Sequence, residues 1–220
     1  MGEEQSIADI QQGFFEYRAN FIEPITSFWY GARQGEIITA LHKALSPWSV
    51  GLDNISWNQA AKNLGEAQLT FTVPSLLAAI QVGVGGLTMN VLNPDWSRAP
   101  QFISLFQTGV DTLKTTVGQE FQSQQTTLGF HVRPGTKPFR ELLSQFVNAR
   151  MLGSEDAAMF GVSVYYHDFL FVIDRSAVFP DGVFIKLVRV FSAATRAEEM
   201  AGTIHKDEET VLYRLGFKLQ

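Results

Sequence analysis

The sequence predicts an α+β fold, a twisted antiparallel sheet with helices packed on one face. Three observations lead there. Two stretches show apolar alternation whose parity flips across a short bend, as in a β-hairpin. Amphipathic helical segments with start and stop signals stand between the strand-like segments. Hydrophobic residues make up 45% of the 220 residues and charged residues 18%, which supplies a core and excludes an intrinsically disordered chain.

The bend at Gly85-Gly86 is the most informative. Ile80, Val82 and Val84 alternate before it, and Leu87, Met89 and Val91 alternate after it with opposite parity. A two-residue loop at Gly85-Gly86 pairs Val84 with Leu87, Val82 with Met89 and Ile80 with Val91, so all six share one buried face. Gln81, Gly83, Thr88 and Asn90 take the other face. The second hairpin turns at His167-Asp168, pairing Tyr166 with Phe169, Val164 with Phe171 and Val162 with Ile173. A half-buried strand covers residues 68–73, where Leu69, Phe71 and Val73 alternate with Gln68, Thr70 and Thr72. A weaker strand covers 122–132. Phe179-Pro180-Asp181-Gly182-Val183 has the form of a turn and launches an apolar run to Phe191, read as a central strand.

Helices separate these strands. Residues 35–45 place Ile37, Ile38, Leu41 and Leu45 on one stripe and stop before Pro47. Asp95 or Ser97 caps a helix whose stripe is Phe102, Phe106, Val110, Leu113 and Val117, stopped by Gly118. Thr136 caps the next, with Phe139, Leu142, Leu143, Phe146 and Val147 inward. Thr195 and Glu198 form a capping box that opens a last helical region to about Leu215, which the acidic run at 207–209 divides. Ile7, Ile10, Phe14, Tyr17 and Phe21 put an N-terminal helix from Ser6, with a strand over 15–21 as the rival.

After that first segment the order is strand, helix, three or four strands, helix, then strand, helix, three strands, helix. This is consistent with an internal duplication of β-α-β(3-4)-α units, halves of about 24–118 and 119–220, within a single domain spanning 1–220. No residue identities match between the halves, so the repeat is one of topology. The order is similar to the duplicated arrangement of TATA-box-binding-like and helix-grip folds, a likeness of fold that implies no function.

Composition excludes several classes of function. Seventeen Lys+Arg against 22 Asp+Glu give a net charge of −5, so no nucleic-acid partner is expected. With no Cys there is no disulfide, thiolate metal site or thiol nucleophile, and a cytoplasmic location is expected. The N-terminus, MGEEQSIADI, is acidic where a signal peptide is basic. The charge-free stretch between Glu66 and Asp95 alternates and contains Gln81, Thr88 and Asn90, so no membrane association is expected. His42, His131, His167 and His205 show no metal-ligand spacing, and no nucleophile elbow or phosphate-binding loop occurs in a fitting context, so no catalytic residue, metal or cofactor is assigned. The acidic positions Glu198, Glu199, Asp207, Glu208 and Glu209 read as a solvated helix face.

Aromatic residues are the unusual feature: 18 Phe, 5 Tyr and 4 Trp. Trp29 and Tyr30 stand in Phe28-Trp29-Tyr30, whose rings cannot all share one face of a strand, and Trp57 flanks an apolar segment. Tyr165, His167 and Asp168 cluster at the second hairpin. These six residues are the ligand or interface candidates. The expected role is a non-catalytic binding or assembly protein that uses apolar and aromatic surface. Its partners are another protein or a second copy of itself, or a small apolar ligand. The alternative is a small-molecule enzyme or carrier with a pocket between sheet and helices.

Overall fold

Alternation of side chains along a strand demands that one parity be covered, and the order of elements supplies the cover. In the computed structural model, residues 6–7, 9–26, 32–58, 63–133, 139–144, 161–166, 168–180 and 182–218 are described. The elements are β1 (Ser6–Ile7), β2 (Asp9–Phe21), α1 (Ala32–Ala44), β3 (Ile55–Trp57), β4 (Gln68–Val73), β5 (Ala78–Gly83), β6 (Gly86–Leu92) and α2 (Ala99–Val117). They continue as β7 (Phe121–Arg133), α3 (Phe139–Ser144), β8 (Gly161–Tyr166), β9 (Phe169–Arg175), β10 (Val183–Ser192), α4 (Ala197–Arg214) and β11 (Phe217–Lys218). Among the described residues nine strands form one sheet in the order β3-β4-β5-β6-β2-β7-β10-β9-β8, while β1 and β11 pair in parallel. The α+β class is the one the sequence predicts.

Two compact units divide the chain. Unit 1 holds Met1–Phe14, Thr127–Arg189 and Gly202–Gln220, and unit 2 holds Phe15–Thr126 and Val190–Ala201. In unit 2 the aliphatic face around the first bend is water-free: Ile80, Val82, Leu87, Met89 and Val91 are fully buried and Val84 nearly so. Helix α2 lies on this face with the predicted stripe inward. Gly109 lets it come close, since a Cβ there would sit 3.2 Å from Met89 Cε and 3.6 Å from Ile80 Cδ1. Phe106 stacks on Phe15 and Tyr17 of β2, with ring centroids 5.3 and 5.7 Å away. Gly118, at φ 70°, ends α2 in the left-handed conformation expected of a stop.

The register of this hairpin is one pair off the expectation. Val82 faces Leu87, Ile80 faces Met89 and Gly83 faces Gly86, so Val84 and Gly85 make the turn. The parity, and therefore the burial, is unchanged by this shift. Two contacts fix the register. The carbonyls of Gly85 and Val84 accept from the amides of Phe21 and Ile25, at 2.9 and 2.8 Å. Gly86, at φ 157°, presses on the Ala19 carbonyl where no Cβ fits, so its glycine serves the strand and not the turn. In unit 1 the second hairpin has the predicted register, Tyr166 to Phe169, Val164 to Phe171 and Val162 to Ile173. Its central neighbour β10 pairs with β9 over Val183–Arg189 and starts after a turn closed by the Gly182 amide on the Phe179 carbonyl at 3.0 Å.

Three other expectations are corrected. The N-terminal segment is strand β2, not a helix: Phe15, Tyr17, Ala19 and Phe21 are buried at a period of two. The helical reading used Phe14, which belongs to the opposite face. The last helix is unbroken from Ala197 to Arg214. Its acidic run is not a solvated face, because Asp207 and Glu208 are buried. Among the described residues no helix is long and apolar enough to cross a membrane.

Val82→Asp places an unpaired charge on the dry face of β5. It should destabilise the protein by more than about 3 kcal/mol, read as a lost or strongly lowered denaturant midpoint.

Candidate functional site

The sequence candidates are scattered. Trp29, Tyr30 and His167 lie outside the described residues. Trp57 is half-buried on β3, an edge strand of the sheet. Tyr165 stands out from β8 with 75% of its surface exposed. Asp168, also exposed, follows the hairpin bend, 3.5 Å from Arg189 of β10.

The less buried face of unit 1 collects the rings that sequence spacing did not link. Along β9 and β10 buried and half-buried residues alternate, so Leu170, Val172, Phe184, Lys186 and Val188 share the open side. Cross-strand pairing aligns Tyr165 with Leu170 and Val188, and Ser163 with Val172 and Lys186. Phe184 stacks on Phe14 at 6.5 Å and lies 4.9 Å from the His131 ring. Gly129 makes room for this cluster, because a Cβ there would run into the Phe14 ring. His131 Nδ1 is 2.8 Å from Ser176 Oγ, and burial lowers the imidazole below its ordinary value, so it is neutral at pH 7. The face therefore offers three packed rings, an exposed phenol and one ammonium, with Asp174 beside Phe184 on the neighbouring strand.

The opposite side of unit 1 is fastened by a partly buried ion pair. Arg189 donates through Nε and Nη2 to both carboxylate oxygens of Asp207 on α4, at 2.6 and 2.7 Å, and its guanidinium lies 5.3 Å from the centre of the Phe169 ring. This two-pronged geometry suits a planar guanidinium.

Unit 2 has a polar arrangement of its own. The Tyr17 hydroxyl donates to Gln124 Oε1 at 2.6 Å, and Gln124 Nε2 donates to the carbonyls of Ser192, Ala193 and Thr195 at 2.9–3.1 Å. Burial, with help from the Asp111 carboxylate, pushes the Tyr17 phenol above its ordinary range, so it stays a donor. Tyr17 and Gln124 line a cavity of about 120 Å³. It shares Gln107, Asp111 and Arg196 with an open groove of about 510 Å³ along α2. Among the described residues no group of three His, Cys, Asp or Glu side chains could hold a metal ion.

No protein-family model matches the chain, and no curated protein matches it. Among solved structures, a rolling circle replication initiator protein from Geobacillus stearothermophilus is similar over 95% of this chain and 84% of that one, at 11% sequence identity and a TM-score of 0.40. A likeness of this size carries no activity across. The expected partners, namely another protein, a second copy or a small apolar ligand with nucleic acid left out, do not match what this neighbour's name describes. Nor does that name match the expected role as a non-catalytic binding or assembly protein, or the pocket enzyme or carrier offered beside it. These expectations are withdrawn. Net charge is a sum over the whole chain, whereas a site for a polyanion is local. Nor do aromatic counts foretell an apolar interface, since eleven of the rings among the described residues are buried in the core.

Asp207→Ala would leave the Arg189 guanidinium without its main partner at a site only 14% exposed. The expected loss is about 2–4 kcal/mol in urea denaturation, the lower end reflecting partial solvent access.

Proposed function

We propose that unit 1 binds single-stranded nucleic acid on its open sheet face. The observation that carries this reading is the cluster of half-buried rings, Phe14, His131 and Phe184, with Lys186 two residues along β10 from Phe184 and Tyr165 further out on β8 of the same open side. Unpaired bases stack on such rings whatever their sequence, at about 1–3 kcal/mol per base. A neutral imidazole and two phenyl rings present flat apolar surface. Lys186 supplies a point charge for a phosphate, and the exposed Tyr165 hydroxyl supplies a hydrogen bond to sugar or phosphate. With the chain at −5 overall, long-range attraction to a polyanion is weak, so stacking supplies most of the affinity.

An order of helix, a run of strands and helix, found in both, supports two similar halves, about 24–118 and 119–220. The lack of Cys supports a cytoplasmic setting.

The test is fluorescence anisotropy with a labelled oligothymidylate of about 15 nucleotides and with a duplex of the same length. The single strand should bind with a shallow dependence on salt, and the duplex more weakly. Phe184→Ala should weaken binding about 5- to 100-fold. Lys186→Ala should cost less and reduce the salt slope by about one. No binding of the single strand at about 100 µM protein in low salt, or equal binding of the duplex, would overturn the reading.

A further inference from the structure

Helix α4 carries a second buried carboxylate that the Arg189 pair does not use. Glu208 follows Asp207, yet only 3% of its surface reaches solvent. Among the described residues its Oε2 accepts no hydrogen bond. One turn earlier His205 brings Nδ1 to 3.5 Å from that oxygen, and its Nε2 to 3.5 Å from Glu209 Oε1. The imidazole is half-exposed and so stands between the buried acid and water. The charged groups that act on Glu208 among the described residues are His205 and Glu209, both on α4.

We propose that Glu208 and His205 form a pH-sensitive latch, which holds the C-terminal part of α4 in place while the pair keeps a proton and loosens it when that proton leaves. With one proton present, the pair is either a neutral acid beside a neutral imidazole or a carboxylate beside an imidazolium. Both forms avoid an uncompensated charge in the interior. When the proton passes to solvent through His205, a bare carboxylate remains beneath Glu209, and burying it is costly.

Burial pushes the Glu208 carboxyl up to about 7, against the partial opposition of His205. An acid raised in the folded state binds more protons folded than unfolded over the interval between its two values. Its contribution to stability is complete below about 4.5, declines as pH rises, and is gone above about 7.

The experiment follows urea unfolding of the intact chain from pH 5 to pH 8.5, beside Glu208→Gln, together with hydrogen exchange of the 203–214 amides corrected for intrinsic rate. In the wild type the unfolding equilibrium constant should rise on the order of a hundredfold more across this range than in Glu208→Gln. Exchange in 203–214 should quicken at the alkaline end in the wild type alone. Parallel pH profiles in the two proteins would overturn the latch. The ¹³C carboxyl shift of Glu208 in the labelled wild type reads the same titration without relying on a variant. A midpoint in the ordinary carboxylate range would overturn it as well.

Discussion

The dry contact between sheet and helix is the constraint on which the other features rest. In unit 2 it is made by five fully buried aliphatic side chains of β5 and β6 against α2, and it is close because Gly109 has no side chain. The strand period of two then decides everything else on that sheet. Once Val82 and Met89 face the helix, Gln81, Thr88 and Asn90 must face away. The same logic in unit 1 buries Phe169, Phe171, Ile173, Ile185 and Leu187 and leaves Phe184 and Lys186 on the open side. The proposed nucleic-acid face is thus a consequence of core formation: the rings there could not reach the core without turning a whole strand over.

Buried polar groups shape what the apolar contact leaves undetermined. Gln124 has two amide hydrogens and three carbonyls within reach, so it shares them across the turn that leads into α4. Tyr17 fills its carbonyl side. Further along α4, Asp207 takes both prongs of Arg189 while its neighbour Glu208 is left with an imidazole at 3.5 Å. One acid is buried with full compensation and the next with little. That contrast on a single helix turn makes ionisation costly at Glu208.

Much of the fold was legible because it is written locally. Both hairpins show the parity flip, α2 carries its stripe and its glycine stop, and the turn at 179–183 launches β10. The errors have physical causes. In β2, Phe14 stands on the face opposite Phe15, Tyr17, Ala19 and Phe21, so Phe14, Tyr17 and Phe21 mimic helical spacing, and pairing with neighbouring strands selects the period of two. A Gly-Gly pair between two alternating runs points to a loop at Gly85-Gly86, whereas Gly86 is required by the approach of the Ala19 carbonyl from another strand. Of the six candidate residues, Tyr165 falls within the proposed face. Phe14, His131, Phe184 and Lys186 were missed, because each looks like an ordinary strand residue until three strands bring them together.

By itself the sequence determined the fold class, most strands and helices after the first segment, and which aliphatic side chains of the first hairpin leave water, because these follow from periodicity over a few residues. Tertiary structure alone decided which polar groups meet. Tyr17 reaches Gln124 across 107 positions, Arg189 reaches Asp207 across 18, and the Phe14 ring comes to rest on Phe184. Such pairings depend on which strands lie side by side and how their registers align. A local pattern of hydrophobicity carries no record of either.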